Sequence, residues 1–211
     1  MLYMITTLFF TSFVIALSGA LMPGPLLTIT ISESSRRGVS AGPLMILGHG
    51  ILELVLVLAL LYGAAPIFLR EDVFVGISLT GGVILLWMAY TMIRGLPHLR
   101  MGTDANVKEN RNLVTTGIIL SAANPYWLIW WATIGLGYIM YSSKFGAAGV
   151  AAFFFGHISA DITWYALVSY GVVKGKHLFT DQGYRRLIGG CAVFLVVFAG
   201  YFLYCGIDKL V

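Results

Sequence analysis

The sequence has few charged residues and only two cysteines. Of its 211 residues, 10% are charged and 59% are hydrophobic, with a mean hydropathy of +0.89. A typical soluble domain carries about 25% charged residues, so the composition excludes a soluble globular protein and indicates one integral membrane domain. Cys191 and Cys205 lie fourteen positions apart without a Cys-x-x-Cys spacing. This favours two buried small residues over a redox pair or a metal site, and the sequence predicts no cofactor.

Basic residues are absent from the start of the chain. No Lys or Arg precedes the first apolar run, which is about 27 residues long. A signal peptide has a basic beginning and a short apolar region, so we expect a retained first span. The net charge of +4 is explained by membrane topology, and we infer no nucleic-acid partner from it.

Six apolar segments are each long enough for the roughly 20 residues that cross the hydrocarbon. They are residues 5–31, 41–69, 74–93, 113–140, 146–173 and 187–207. Because backbone groups stay paired in lipid and no period-two alternation is visible, these are predicted to be helices. The predicted fold class is an all-α integral membrane protein.

The basic residues predict the orientation in the membrane. Ten of the 13 fall in the first, third and fifth connections. These are Arg36, Arg37, Arg94, Arg100, Lys108, Arg111, Lys174, Lys176, Arg185 and Arg186; the other side holds Arg70, Lys144 and Lys209. Basic loops stay in the cytoplasm, so we expect a multi-pass cell-membrane protein with both termini outside.

One motif occurs twice, 108 positions apart. The two copies are Gly48, His49 and Glu53, and Gly156, His157 and Asp161. The pairs Gly81-Gly82 and Gly189-Gly190 have the same offset. The chain is therefore predicted to contain two related halves, 1–95 and 113–211, joined by a cytoplasmic linker over 96–112. With three spans in each half, the second half enters the membrane inverted, as in many secondary transporters.

Proline interrupts the first helix of each half. Pro23, Gly24 and Pro25 predict a break in the first span, and Asn124 and Pro125 predict one in the fourth. Proline suits the first position of a new half-helix, and asparagine caps it.

The new half-helices would leave backbone N–H groups directed into the protein. These are the N–H groups of Leu26, Leu27, Tyr126 and Trp127. Such helix N-termini favour an anion.

These features together resemble the LysE/RhtB family of amino-acid exporters. The resemblance is carried by Pro23-Gly24-Pro25, by the glycine-rich second and third spans and by Asn124-Pro125, and it covers nearly the whole chain. It implies proton-driven export of amino acids or related metabolites from the cytoplasm.

The spans contain no Lys or Arg, and Glu53 and Asp161 are the only carboxylates deep within them. A carboxylate in low dielectric without a fixed cation takes up a proton or holds a mobile cation. A histidine four residues earlier shares its helix face, and a carboxylate beside a histidine stabilises the protonated imidazole. We predict two proton-exchanging pairs, His49 with Glu53 and His157 with Asp161. The alternative is that these groups only hydrogen-bond helices together.

A substrate pose follows from these elements. The carboxylate of an amino acid would meet the half-helix N-termini beside Pro25 and Pro125, and its ammonium would meet Glu53 or Asp161. The predicted partners are therefore a small-molecule substrate, protons and the lipid bilayer. The sequence leaves both a monomer and a homo-oligomer open.

The aromatic residues near the second break have two interpretations. Trp127 lies three residues after Asn124, and we expect it to line the substrate pathway, where aromatic rings attract an ammonium. The remaining aromatics are interpreted as packing or as interfacial anchors. They are Trp130, Trp131, Trp164 and Tyr165.

Three other functions compete with export. Two histidines and two carboxylates also suit a divalent transition metal as transported substrate. A thiol-redox membrane protein needs cysteines near Pro23 or Pro125, and neither has one. A hydrolase needs an activated nucleophile, and no such pattern is visible, so the chain is not predicted to be an enzyme.

Overall fold

The computed structural model describes residues 2–68, 70–99, 112–175 and 180–210, and within them every regular element is helical. The helices are α1 Leu2–Ala20, α2 Pro25–Arg37, α3 Ala41–Ala59, α4 Ala65–Phe68, α5 Glu71–Gly95, α6 Leu113–Ala122, α7 Pro125–Trp130, α8 Leu136–Ser143, α9 Gly146–Gly175 and α10 Asp181–Asp208. Two π-helical turns, Leu60–Ala64 and Trp131–Gly135, join α3 to α4 and α7 to α8.

The described residues contain five helical segments long and apolar enough to cross a membrane. They are Leu2–Ala20, Ala41–Phe68, Glu71–His98, Gly146–Gly175 and Asp181–Asp208. A sixth candidate consists of Leu113–Ala122 and Pro125–Ser143, which are bent by 64° at their junction. The prediction of an all-α membrane fold is confirmed at the level of five or six spans.

The first apolar segment, predicted over 5–31, contains two helices. α1 ends at Ala20, and α2 begins at Pro25 after the N-cap residue Gly24. α1 alone is long and apolar enough to span a membrane, whereas α2 continues to Arg37 through several polar residues. The predicted segment therefore ends in the middle of α2. Hydropathy marks where apolar residues end, and α2 continues beyond them through polar residues.

The last helix begins earlier than the apolar pattern indicates. α10 starts at Asp181 instead of 187, and the hydroxyl oxygen of Thr180 accepts a hydrogen bond from the Gly183 N–H at 3.1 Å. A capped first turn of polar residues is stable outside the hydrocarbon. Hydropathy alone does not detect such a turn.

The predicted linker over 96–112 is described only at its ends. Leu96–His98 forms a 3-10 turn after α5, and Asn112 caps α6 by accepting hydrogen bonds from the N–H groups of Val114 and Thr115. Residues 100–111 lie outside the described part of the chain, as does Lys176. The loop charges Arg100, Lys108 and Arg111 fall in that range.

Close helix pairs organise the packing. α5 lies along α10, α1 along α9 and α3 along α6, and α3 also contacts α9. Glycine permits two of these approaches, because a Cβ on Gly48 would collide with the Val114 carbonyl of α6 and one on Gly156 with the Phe9 carbonyl of α1. These contacts bring the helices that carry the histidine motifs into the centre.

Large apolar side chains cover the outside of the bundle. Phe10 is 61% exposed, Val55 60% and Trp87 65%. An apolar surface of this extent is suited to lipid and is rare on a soluble monomer.

Candidate functional site

The two repeated motifs meet in the interior, where α3 and α9 are in contact. His49 and Glu53 lie on one face of α3, and His157 and Asp161 lie on one face of α9, because four residues make about one helical turn. All four side chains are buried, with Glu53 only 1% exposed. Ionisable groups without water must be paired, and these groups pair with one another.

Glu53 is the centre of this cluster. Its Oε1 lies 3.1 Å from Nε2 of His49, and its Oε2 lies 3.0 Å from Nε2 of His157. A carboxylate of the first half therefore contacts the histidines of both halves. The two separate pairs predicted from the sequence form one four-residue group.

Two tryptophans complete the surroundings of Glu53. The indole N–H groups of Trp127 and Trp131 both donate to Oε1, at 3.1 and 2.9 Å. Trp131 is fully buried and opens the π-helical turn after α7, and such turns are frequent at functional sites. Trp131 packs in the core, as interpreted from the sequence, and its additional contact with Glu53 was not predicted. Its position four residues after Trp127 was the available signal, since residues so spaced share a helix face.

Asp161 has a much poorer set of contacts. Its Oδ2 lies 3.4 Å from Nε2 of His157, on its own helix. The two histidines also differ, since Nδ1 of His49 lies 2.8 Å from the Ser121 hydroxyl of α6, whereas Nδ1 of His157 has no hydrogen-bonding partner among the described residues. Ser121 was not recognised in the sequence.

The cluster lines a cavity of about 60 Å³. A cavity volume of about 10–15 Å³ holds one water, so this cavity has room for several waters or a small polar group. Its walls come from both halves and include no Lys or Arg among the described residues. The lining residues are Ala16, Gly19, Ala20, Met22, Gly24, Leu26, His49, Glu53, Ser121, Asn124, Tyr126, Trp127, Trp130, His157, Asp161 and Tyr165.

The first predicted helix break borders this cavity. Gly24 has extended backbone and precedes Pro25, the first residue of α2, and it offers no side chain to cap the helix. Gly24 and Leu26 line the cavity, whereas Pro23 lines a smaller neighbouring cavity that also contains Gly24 and Asn124. The N-terminus of α2 is therefore next to the four-residue cluster.

The second predicted break is capped by its own residues. Oδ1 of Asn124 accepts from the Tyr126 N–H at 3.1 Å, and the Asn124 carbonyl accepts from the Trp127 N–H at 3.0 Å. These two N–H groups, expected to be available to an anion, already have partners. Pro125 is buried, and a Cβ on Gly81 of α5 would collide with its ring.

The cluster also has the donor types of a metal site. One ligand atom from each of His49, Glu53, His157 and Asp161 lies within 4.8 Å of the others. Imidazole and carboxylate together suit a divalent transition metal.

A buried ionisable cluster at a cavity between apolar helices is typical of a multi-pass membrane transporter. A family model described as LysE type translocator matches residues 17–206, which include both motifs and both proline sites. The chain belongs to this family. No curated protein and no solved structure matches it significantly.

Proposed function

We propose that this protein is a secondary transporter that exports amino acids or related small metabolites from the cytoplasm in exchange for protons. The observation that carries the proposal is the four-residue cluster of His49, Glu53, His157 and Asp161 at one cavity. Two carboxylates and two imidazoles can each bind and release a proton, so this one group can carry protons across the protein. Such groups inside a membrane commonly form proton relays.

The same cavity offers both ends of an amino acid a partner. The uncapped N-terminus of α2 at Gly24 and Leu26 suits the carboxylate, because helix N-termini attract anions. The acidic cluster suits the ammonium, and the ring of Trp127 lies beside it. With Tyr126 and Trp127 N–H groups occupied by Asn124, we place the carboxylate at α2 and give Asn124 and Pro125 the role of shaping the cavity.

Matched contacts support a pair of related three-helix repeats, and three spans in each half would invert the second repeat relative to the first. The Phe153 carbonyl of α9 accepts from the Ser12 hydroxyl of α1 at 2.7 Å, and the Met45 carbonyl of α3 faces Gly117 of α6. Met45 and Phe153 are 108 positions apart, and Ser12 and Gly117 are 105 apart. Each first helix thus contacts the second helix of the other half at the same level.

We further propose that α1 with α2, and α6 with α7 and α8, are each one span broken at its prolines. The cytoplasmic side would then be the face that carries the basic loops, with both termini outside the cell membrane. Alternating access would open the cavity to each side in turn.

The proposal is tested by flux in proteoliposomes. Proteoliposomes that contain the purified protein are loaded with a panel of labelled amino acids. Efflux is then measured with and without an inward proton gradient. We expect at least one amino acid to leave faster under the gradient and empty liposomes to show no effect. If no amino acid moves, or efflux ignores the gradient, the proposal is wrong.

A divalent transition metal is a second candidate substrate, because four suitable ligand atoms lie within 4.8 Å of one another. The same liposomes are therefore loaded with divalent manganese, cobalt or zinc. Metal efflux that is lost when His49 and His157 are both replaced by Gln would favour this candidate. Amino-acid export predicts no metal flux. The two indole N–H groups on Glu53 favour the first candidate, since they hold an anion without any metal.

A further inference from the structure

The two carboxylates of the cluster have different surroundings. Glu53 lies within 3.2 Å of four nitrogen atoms, from Trp127, Trp131, His49 and His157. Asp161 lies 3.4 Å from one, in His157. Both side chains are buried and both line the cavity, so burial does not account for the difference.

We propose, on the basis of the transport function above, that Glu53 is a permanently ionised hub and that Asp161 is the carboxylate that exchanges its proton for the substrate ammonium. Trp127 and Trp131 are then positioning residues, which hold Glu53 in its charged form.

The donors around Glu53 oppose its protonation. An indole N–H donates and cannot accept, so Oε1 must supply lone pairs to Trp127 and Trp131 while it also contacts His49. A proton on Oε1 would displace at least one of these donors and leave a buried N–H without a partner. Oε2 has no hydrogen-bonding partner among the described residues but lies 3.0 Å from Nε2 of His157, which stabilises the ionised carboxylate when that imidazole is protonated. Hydrogen bonds from several N–H groups strongly favour the ionised carboxylate.

Asp161 can take a proton or an ammonium without displacing any donor. Its side chain is one methylene shorter than that of Glu53, and in the described part of the chain its ion pair is with the histidine of its own helix. In the described structure the titratable groups that share its cavity are His49, Glu53, His157, Tyr126 and Tyr165. α1, α2 and α6 contribute no charged residue to this lining. The substrate ammonium therefore finds free acceptor capacity at Asp161.

The sequence explains why the two halves differ. Counted from Pro25 and Pro125, the positions that correspond to Trp127 and Trp131 are Leu27 and Ile31, which have no side-chain donor. By the 105-residue offset, Ser121 beside His49 corresponds to Ala16 on the other side. Where the second half has Ser121, Trp127 and Trp131, the first half has apolar residues, so the first half lacks these three donors.

Infrared spectroscopy of the reconstituted protein distinguishes the two carboxylates. The carbonyl stretch of a buried protonated carboxyl is followed while the pH is lowered, in wild type, Asp161→Asn and Glu53→Gln. We expect the wild-type band to be lost in Asp161→Asn and retained in Glu53→Gln. A band that is absent from wild type, or lost in Glu53→Gln, overturns the proposal.

Trp131→Phe tests the hub without removing a carboxylate, which matters if Glu53→Gln fails to fold. Loss of one donor should add a second protonated-carboxyl band as Glu53 titrates. The matched control is Trp87→Phe on the lipid-facing surface, which should leave the spectrum unchanged. An unchanged spectrum in Trp131→Phe overturns the role of the indoles.

Failure of the transport function would look different. If no amino acid moves but Glu53 and Asp161 still differ in the infrared spectrum, only amino-acid export is refuted. If amino acids move but Glu53 and Asp161 take up protons alike, export stands and only the different roles of the two carboxylates are refuted.

Discussion

Oε2 of Glu53 on α3 lies 3.0 Å from Nε2 of His157 on α9, although the two residues belong to different halves of the chain. Their contact joins the two repeated motifs into one hydrogen-bonded group. It also means that neither motif is complete within its own half. The following predictions depend on this group and on the helix contacts that hold it in place.

Replacing His157 by Leu should destabilise the protein, because it removes a donor from a buried carboxylate. A hydrogen bond to a charged group contributes about 1.5–3 kcal/mol, so we expect a loss of this size in the free energy of unfolding in detergent. His157→Gln keeps an N–H donor and should lose less. Equal losses in the two variants would contradict a hydrogen-bonding role.

Replacing Asp161 by Asn should abolish the stimulation of efflux by an inward proton gradient. Asn cannot be ionised, so no proton can be exchanged at this position. A tenfold loss of rate corresponds to about 1.36 kcal/mol, and we expect gradient-driven efflux to fall by about tenfold or more. As a companion measurement, exchange of internal for external substrate is followed without a gradient. Undiminished stimulation of efflux by the gradient in Asp161→Asn would contradict the prediction.

Ser121→Ala should mildly destabilise the site by removing the hydroxyl next to Nδ1 of His49. A typical buried hydrogen bond contributes about 1 kcal/mol, so thermal unfolding should show a loss of this order. Thr6→Ser is a suitable comparison, since the exposed Thr6 hydroxyl bonds within α1 and serine keeps that bond. A Ser121 variant as stable as this comparison would show that the hydroxyl contributes nothing.

Gly48→Ala and Gly156→Ala should each destabilise the bundle, because the added methyl group would meet a backbone carbonyl of a neighbouring helix. Overpacking of this kind typically costs about 1–3 kcal/mol. Gly190→Ala is the matched control, since a Cβ there meets nothing within 4 Å. Thermal unfolding in the same detergent compares the three variants, and equal midpoints would show that α3 can move away from α6, and α9 from α1, without cost.

The sequence predicts most of this architecture because its signals are strong. Local rules connect three patterns with structure. Long apolar segments predict spans, glycines predict close helix contacts, and a motif repeated at a fixed offset predicts two related halves. The histidine and the carboxylate in each motif share a helix face for the same reason. Not every glycine marks such a contact, since a Cβ on Gly190, Gly171 or Gly200 would meet nothing within 4 Å.

The arrangement around Glu53 could not be predicted in the same way. Which histidine a carboxylate reaches depends on how α3 and α9 pack and on one methylene of side-chain length, and neither is encoded in a spacing. The spacing of Trp127 and Trp131 places them on one helix face, but it does not indicate that this face turns towards Glu53. The capping of Tyr126 by Asn124 was suggested by residue type, but its effect on an anion site was not.

The crossed pairing of α1 with α9 and of α3 with α6 has a consequence for biogenesis. α1 is synthesised before α9, so the contact between the Phe9 carbonyl and Gly156 can form only after α9 has been made. The interior that holds the four-residue cluster is therefore completed only after most of the chain has been translated.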